Sequence, residues 1–341
     1  MIKLTMDLHH VTPMNRLQIE HLARVAGEFE SQILLEHQNR VINGKSMLGL
    51  LSLGVTGNQP VNITFDGVDE EEALRAVKKL LESGVIAPKS AADAERLMQR
   101  VKQRYQDILG ENLVGIYLHG SLAAGCFRWD RSDIDFLVVV RESPAVEKKI
   151  ALVETLYALQ EEAPLAGFEM SVVLEKDCRN LRYPIPFDLH ASKRYRADYE
   201  RDARGFCERM HGEDPDLTAH ILCLHAFGRV LWGPSISRVF DPVRREDALS
   251  AIRYDANDAG EHFQAHPCYY VLNLCRALAY YRENLVLSKR EGGEWALQHL
   301  DQEHQRVIQA ALNAYQSGRD MSYDAGLAEN FCYDALEELN R

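Results

Sequence analysis

Leu113-Val114-Gly115-Ile116-Tyr117-Leu118-His119-Gly120-Ser121 and, about a dozen residues on, Ser132-Asp133-Ile134-Asp135-Phe136-Leu137-Val138-Val139-Val140 decide how this chain is read. Two apolar runs of strand length bracket a Gly-Ser turn and an Asp-x-Asp pair. Side chains alternate across a sheet, so Asp133 and Asp135 share a face, roughly 7 Å apart along the strand. Paired carboxylates at a strand start suit divalent cations, which take oxygen ligands. The Gly120-Ser121 turn offers backbone N–H groups and a hydroxyl, a donor set that holds phosphate oxygens. A metal pair beside a phosphate cradle is what phosphoryl or nucleotidyl transfer needs. Either motif alone is weak. Together, each against an apolar strand, they are specific.

A third carboxylate joins them. Phe168-Glu169-Met170-Ser171-Val172-Val173-Leu174 alternates like a half-buried strand, with Glu169, Ser171 and Val173 on one face. Glu169 there can accept the proton of an attacking hydroxyl or complete the metal site.

These residues resemble the nucleotidyltransferase superfamily, and the order of segments after them narrows the likeness. Arg182-Tyr183-Pro184, Asp214-Pro215-Asp216-Leu217, Leu231-Trp232-Gly233-Pro234, Phe240-Asp241-Pro242, Val271 to Arg276 and Ser288-Lys289 to Trp295-Ala296-Leu297 resemble the streptomycin/spectinomycin adenylyltransferases. The resemblance implies a helical domain behind the transferase domain, with ATP and the acceptor bound between them. It further implies that Gly120, Ser121, Asp133 and Asp135 handle Mg2+ and ATP, that Glu169 is the base, and that Arg276 and Lys289 contact the triphosphate. The chain departs from the pattern at the acceptor positions: His266 and His262 stand where the family has acidic residues, and Asn257 where it has an aromatic one. Asp255, Asp258 and Glu261 lie near.

The front of the chain carries a separate likeness. Phe29 to His37, Val41 to Gly54 with its Lys45-Ser46-Met47-Leu48-Gly49 run, and Val61 to Gly67 resemble HPr, the phosphocarrier of the bacterial sugar phosphotransferase system. The pattern reads strand, helix, two strands, short helix, strand, helix. Where that family has its phosphorylated histidine this chain has Asn15, and Leu17 and Gln18 replace the companion arginine and proline. An amide cannot accept a phosphoryl group as an imidazole does, so carrier activity is expected to be absent. Asn15 is also a good helix N-cap. Ser46 stands at the family's regulatory phosphorylation site, ahead of an apolar helical turn, where it also serves as an N-cap. HPr kinase or another phosphotransferase-system regulator is the partner this implies.

The expected fold class is α/β (α+β). Residues 1–88 form an HPr-like open-faced β-sandwich, 89–242 a nucleotidyltransferase mixed-sheet domain, and 243–341 a helical substrate- and nucleotide-binding domain. A length of 341 residues suits two or three cores. A net charge of −12 argues against a nucleic-acid surface. No apolar run approaches the ~20 residues of a spanning helix, and the Met1-Ile2-Lys3-Leu4 start lacks a signal-peptide core. Seven cysteines without a Cys-x-x-Cys pair fit reduced thiols. A cytoplasmic enzyme is expected, transferring AMP from ATP to a hydroxyl of an aminoglycoside-like small molecule. The alternatives are an HPr-like regulatory protein that senses nucleotide, or a protein adenylyltransferase.

Overall fold

The protein is described by a computed structural model covering residues 1–8, 14, 16–38, 40–53, 60–82, 89–317 and 320–341, without the side chains of 16, 17, 53 and 261. Its chain divides into two compact units, Met1–Lys89 and Ser90–Arg341.

The first unit is an antiparallel sheet of β1 (Ile2–Met6), β2 (Gln32–His37), β3 (Arg40–Asn43) and β4 (Val61–Asp66) in the order β1-β4-β2-β3. Alternation sets its inner face: Val61, Ile63 and Phe65 are buried, while Asn62 and Asp66 are exposed. That face packs with Leu22 of the helix Arg16–Gly27, Leu50 of Met47–Leu53, and Ala73, Val77 and Leu81 of Glu70–Glu82. Element order and layer match the HPr-like expectation. Asn15, Gly54 and the Ser83–Pro88 boundary lie outside the described residues. Ser46 caps its helix, its Oγ accepting from the Gly49 N–H at 3.1 Å.

The second unit is organised by a mixed five-stranded sheet. Its strands are β5 (Leu113–Leu118), β6 (Ile134–Val140), β7 (Phe168–Leu174), β9 (Leu189–Ser192) and β11 (Arg229–Trp232), in the order β11-β5-β6-β7-β9. Only β6 and β7 run parallel, joined by the crossover helix Val146–Leu159. A short ribbon pairs β8 (Ile185–Phe187) with β10 (Gly212–Asp214).

Both faces of this sheet are covered. Phe136, Val138, Met170 and Val172 face the helices Ala91–Leu109 and Val146–Leu159. Leu137, Val139 and Val173 face Leu217, Ile221 and Leu224 of the helix Asp216–Phe227, with Phe240 edge-on to Tyr117 at 5.1 Å. The half-buried reading of β7 is therefore corrected: Ser171 and Val173 are as buried as Met170, because a helix far along the chain returns over that face.

Towards the end of the chain, the helices Pro267–Glu283, Lys289–His299, Gln302–Ser317 and Ala325–Leu339 enclose a core of Leu272, Leu274, Ala296, Ile308 and Phe331. All seven cysteines are free thiols. Among the described residues no helix is long and apolar enough to cross a membrane.

Candidate active site

The site begins where β5 runs out. The His119 N–H donates to the Asp135 carbonyl at 3.1 Å, carrying the β5–β6 pairing into the turn. Gly120 follows with φ +61°, and a Cβ there would overlap the Asp135 carboxylate. Only glycine meets both demands. The Ser121 N–H donates to the same carboxylate, so turn and second aspartate fix each other. The Ser121 Oγ is buried, has no hydrogen-bond partner among the described residues and lines a cleft.

β6 starts at Ile134, leaving Asp133 in the turn just ahead of it. Asp135 is in register with Glu169 on the parallel β7. Neighbouring strands lie ~4.8 Å apart, so the register alone brings these two carboxylates together. One oxygen from each of Asp133, Asp135 and Glu169 lies within 4.8 Å of the others. Burial, then the charge of Glu169, raises the Asp133 carboxyl above its ordinary range. Burial, then Asp133 and Glu169, raises Asp135 well above it. Three crowded carboxylates repel one another, and a hard divalent cation relieves that repulsion with the oxygen ligands it prefers. The donor set fits Mg2+.

The facing wall comes from the helical portion. Lys289 is the first residue of a helix capped reciprocally: the Glu291 N–H donates to Ser288 Oγ at 3.3 Å, and the Ser288 N–H to Glu291 Oε2 at 2.9 Å. Gly292 lets this helix pass Arg276, since a Cβ there would lie 2.7 Å from Arg276 Cγ. Arg276 lines the cleft and donates to Asn273 Oδ1, the Asn273 amide donates to Asp255, and the Arg276 Nε has no partner among the described residues. The Lys289 Nζ lies 4.2 Å from the centre of the Tyr269 ring.

Burial and the Arg276 charge push Lys289 down to about 8, against the opposing pull of Asp133 and Asp135. A bound polyphosphate would raise that value again, so binding takes up a proton at higher pH. Nucleotide affinity is therefore expected to hold up to about pH 8 and then fall by as much as about tenfold per pH unit. Lys289→Arg, charged throughout, should flatten this dependence whatever its absolute affinity. Titration calorimetry between pH 7 and 9.5 measures both, and equal slopes for the two proteins would exclude Lys289 from the phosphate site.

The cleft encloses about 1060 Å3. Gly120, Ser121, Asp133, Asp135, Glu169, Arg276 and Lys289 all line it. Ser46 belongs to the first unit. Of the acceptor positions, His266 lines the cleft, whereas His262 is exposed beside Asp258 at 3.6 Å and Asn257 accepts from Asn340 at 3.2 Å.

Asp216, His220 and Asp255 line the same cleft. Burial pushes Asp216 up to about 6, with His220 opposing. His220 and Asp216 sit one helical turn apart, the one signal in sequence that they share a face. The His220 ring also lies against that of the buried His119, tilted by 31° with ring centres 4.6 Å apart.

Parts of the chain match three families of known proteins. Residues 94–196 match the nucleotidyltransferase domain family, 238–338 the C-terminal domain of aminoglycoside adenylyltransferase, and 18–83 the HPr component phosphorylation-site family. Spectinomycin 9-adenylyltransferase of Staphylococcus aureus is 25% identical over 224 residues, 64% of this chain and 84% of that one. The aminoglycoside (3'') (9) adenylyltransferase of Klebsiella pneumoniae is 24% identical over 265 residues, 72% of this chain and 98% of that one. The crystal structure of spectinomycin adenyltransferase AAD(9) from Enterococcus faecialis, with ATP and spectinomycin, superposes with a TM-score of 0.62 at 18% identity. It covers 72% of this chain and 99% of that one, and shows the shared fold.

The chain is a nucleotidyltransferase, an enzyme whose second unit carries that domain. More particularly, it resembles the aminoglycoside adenylyltransferases, with an HPr-like domain in front.

Proposed function

We propose that the enzyme transfers AMP from ATP to a hydroxyl of an aminoglycoside-like small molecule in the presence of Mg2+. The observation that carries this is the convergence of three carboxylates, the Gly120-Ser121 turn and two cations on one cleft. Held by Asp133 and Asp135, with Glu169 beside them, Mg2+ would supply Lewis-acid stabilisation of phosphoryl oxygens. The chain's own groups do the rest. Arg276 and Lys289 hold the β- and γ-phosphates, and Ser121 donates its otherwise unpartnered hydroxyl to a phosphate oxygen. The acceptor oxygen attacks the α-phosphorus in line as its proton passes to Glu169. The new O–P bond forms as the bond to the β-phosphate oxygen breaks, and pyrophosphate leaves against the two cations.

The acceptor half supports an amine-bearing substrate. Asp216 and Asp255 line the cleft although His262 and His266 replace the acidic residues the family has there. Carboxylates facing a cleft attract a polycation. A cytoplasmic setting without nucleic-acid or membrane partners, and the division at 89–242 and 243–341, complete the reading. Incubation with Mg2+, each labelled nucleotide and an aminoglycoside panel, followed by mass spectrometry, tests it. An acceptor gaining the mass of AMP only with ATP is the expected result, and no adduct on any acceptor would overturn it.

For the first unit we propose a regulatory role without phosphocarrier activity. Asn15 removes the nucleophile, while Ser46 caps a helix whose positive end would meet a phosphate. The first enzyme of the phosphotransferase system should leave the chain unlabelled, and Asn15→His alone should not make it an efficient carrier, because Leu17 and Gln18 remain. HPr kinase with ATP should phosphorylate Ser46. Label arriving on the wild-type chain from the first enzyme would refute the degenerate-carrier reading.

A further inference from the structure

The loop that delivers Asp133 is anchored to the helical tail chiefly through Arg128, with Arg131 beside it. Arg128 and Ser132 close the loop on itself: the Ser132 N–H donates to the Arg128 carbonyl at 2.7 Å, and the Arg128 N–H to Ser132 Oγ at 3.0 Å. Asp133 is the next residue. The Arg128 guanidinium leaves the loop and donates to the carbonyls of Tyr315 at 3.1 Å and Gln316 at 2.6 Å. Both belong to the last turn of the helix Gln302–Ser317, whose carbonyls lack intrahelical partners and carry the negative end of the helix dipole. Asp130 steadies the guanidinium from the other side at 3.2 Å, and Arg131 adds a bond to the Tyr315 carbonyl at 3.2 Å.

We propose that Arg128 is a positioning residue: it lets the tail helix set where Asp133 stands relative to Asp135 and Glu169, and so tunes the affinity of the acidic site. This rests on the reading of that triad as a cation site. Arg128 itself holds no ligand. Its effect passes through the closed 128–132 turn, and Tyr315 in the helix end that it grips itself lines the cleft. Displacement of that cleft wall would be felt at Asp133 through this bond set.

Mn2+ binding to the full chain, followed by electron paramagnetic resonance of the free ion, is the direct test. Arg128→Ala should weaken Mn2+ binding by about tenfold or more, the usual cost of losing a group that orients a metal ligand. Its thermal midpoint should stay near wild type, and kcat should fall with little change in acceptor KM. Arg128→Lys, which keeps a cation at the helix end, should recover part of the Mn2+ affinity. Asp133→Asn separates the two ideas. Loss of Mn2+ binding in that variant, alongside wild-type binding in Arg128→Ala, would overturn the positioning role alone. Wild-type binding in Asp133→Asn would overturn the cation-site reading beneath it.

Discussion

Asp133→Asn or Asp135→Asn should abolish nucleotide transfer while leaving the protein folded. Several kcal/mol of transition-state charge stabilisation rest on a metal held by these oxygens, and ~1.4 kcal/mol is a factor of ten, so a loss of about three orders of magnitude is expected. Stability should move the other way. Burial and the neighbouring carboxylates raise the Asp135 carboxyl well above its ordinary value, so in the metal-free protein the folded state binds this proton more tightly than the unfolded chain. The metal-free wild type should therefore lose stability as pH rises from about 4 through the raised folded value. Asp135→Asn lacks that loss, and its melting midpoint at neutral pH without metal should match or exceed wild type. Mg2+ should stabilise the wild type and do little for the variant. Calorimetric melts with and without Mg2+, beside single-turnover transfer assays, measure both effects. Turnover within tenfold of wild type with unchanged Mg2+ dependence would remove these aspartates from the site.

The parts of this site that follow local rules could be read from the chain. An apolar run beside Gly-Ser, and another behind Asp-x-Asp, sufficed to bring Ser121, Asp133 and Asp135 together, because a strand's period of two and a turn's need for glycine act over a few residues, although β6 opens only at Ile134 and Asp133 stands just ahead of it. Glu169 was legible as a strand carboxylate. Its register was not: pairing with Asp135 depends on how two parallel strands slide against each other, and the helix Val146–Leu159 between them does not encode that offset. The second covering of β7 was hidden for a similar reason, since Leu217 and Ile221 return from a helix with no local mark of its target. Asp216 and His220 ride on that helix. Arg128 carries no motif, because its partners are backbone carbonyls 187 and 188 residues away, and a carbonyl belongs to every residue type. Arg276 and Lys289 entered through family likeness alone, and their convergence on the carboxylates came with the fold.

Glu169→Gln should slow the chemical step by about 100-fold or more while leaving ATP binding nearly unchanged, the scale of general-base loss. Glutamine keeps the shape and one acceptor oxygen but cannot take the acceptor's proton. The geometry makes the outcome informative in either direction. Glu169 stands in register with Asp135, and one of its oxygens lies within 4.8 Å of oxygens of both aspartates, close enough to share their cation. It also lines the cleft with Asp216, on the side where an amine-bearing acceptor would lie. A base and a ligand differ in what they lose. Without the base, ATP and Mg2+ still bind, and the rate deficit should shrink as pH rises toward the ionisation of the acceptor hydroxyl, since that proton then leaves without help. Without a ligand, the Mg2+ concentration needed for half-maximal turnover rises and ATP binding weakens with it. Rapid-quench measurement of AMP transfer across pH, paired with calorimetric ATP binding at several Mg2+ concentrations, separates the two. Collapse of ATP binding in Glu169→Gln would make Glu169 chiefly a metal ligand, and would require the acceptor's proton to pass to another group lining the cleft.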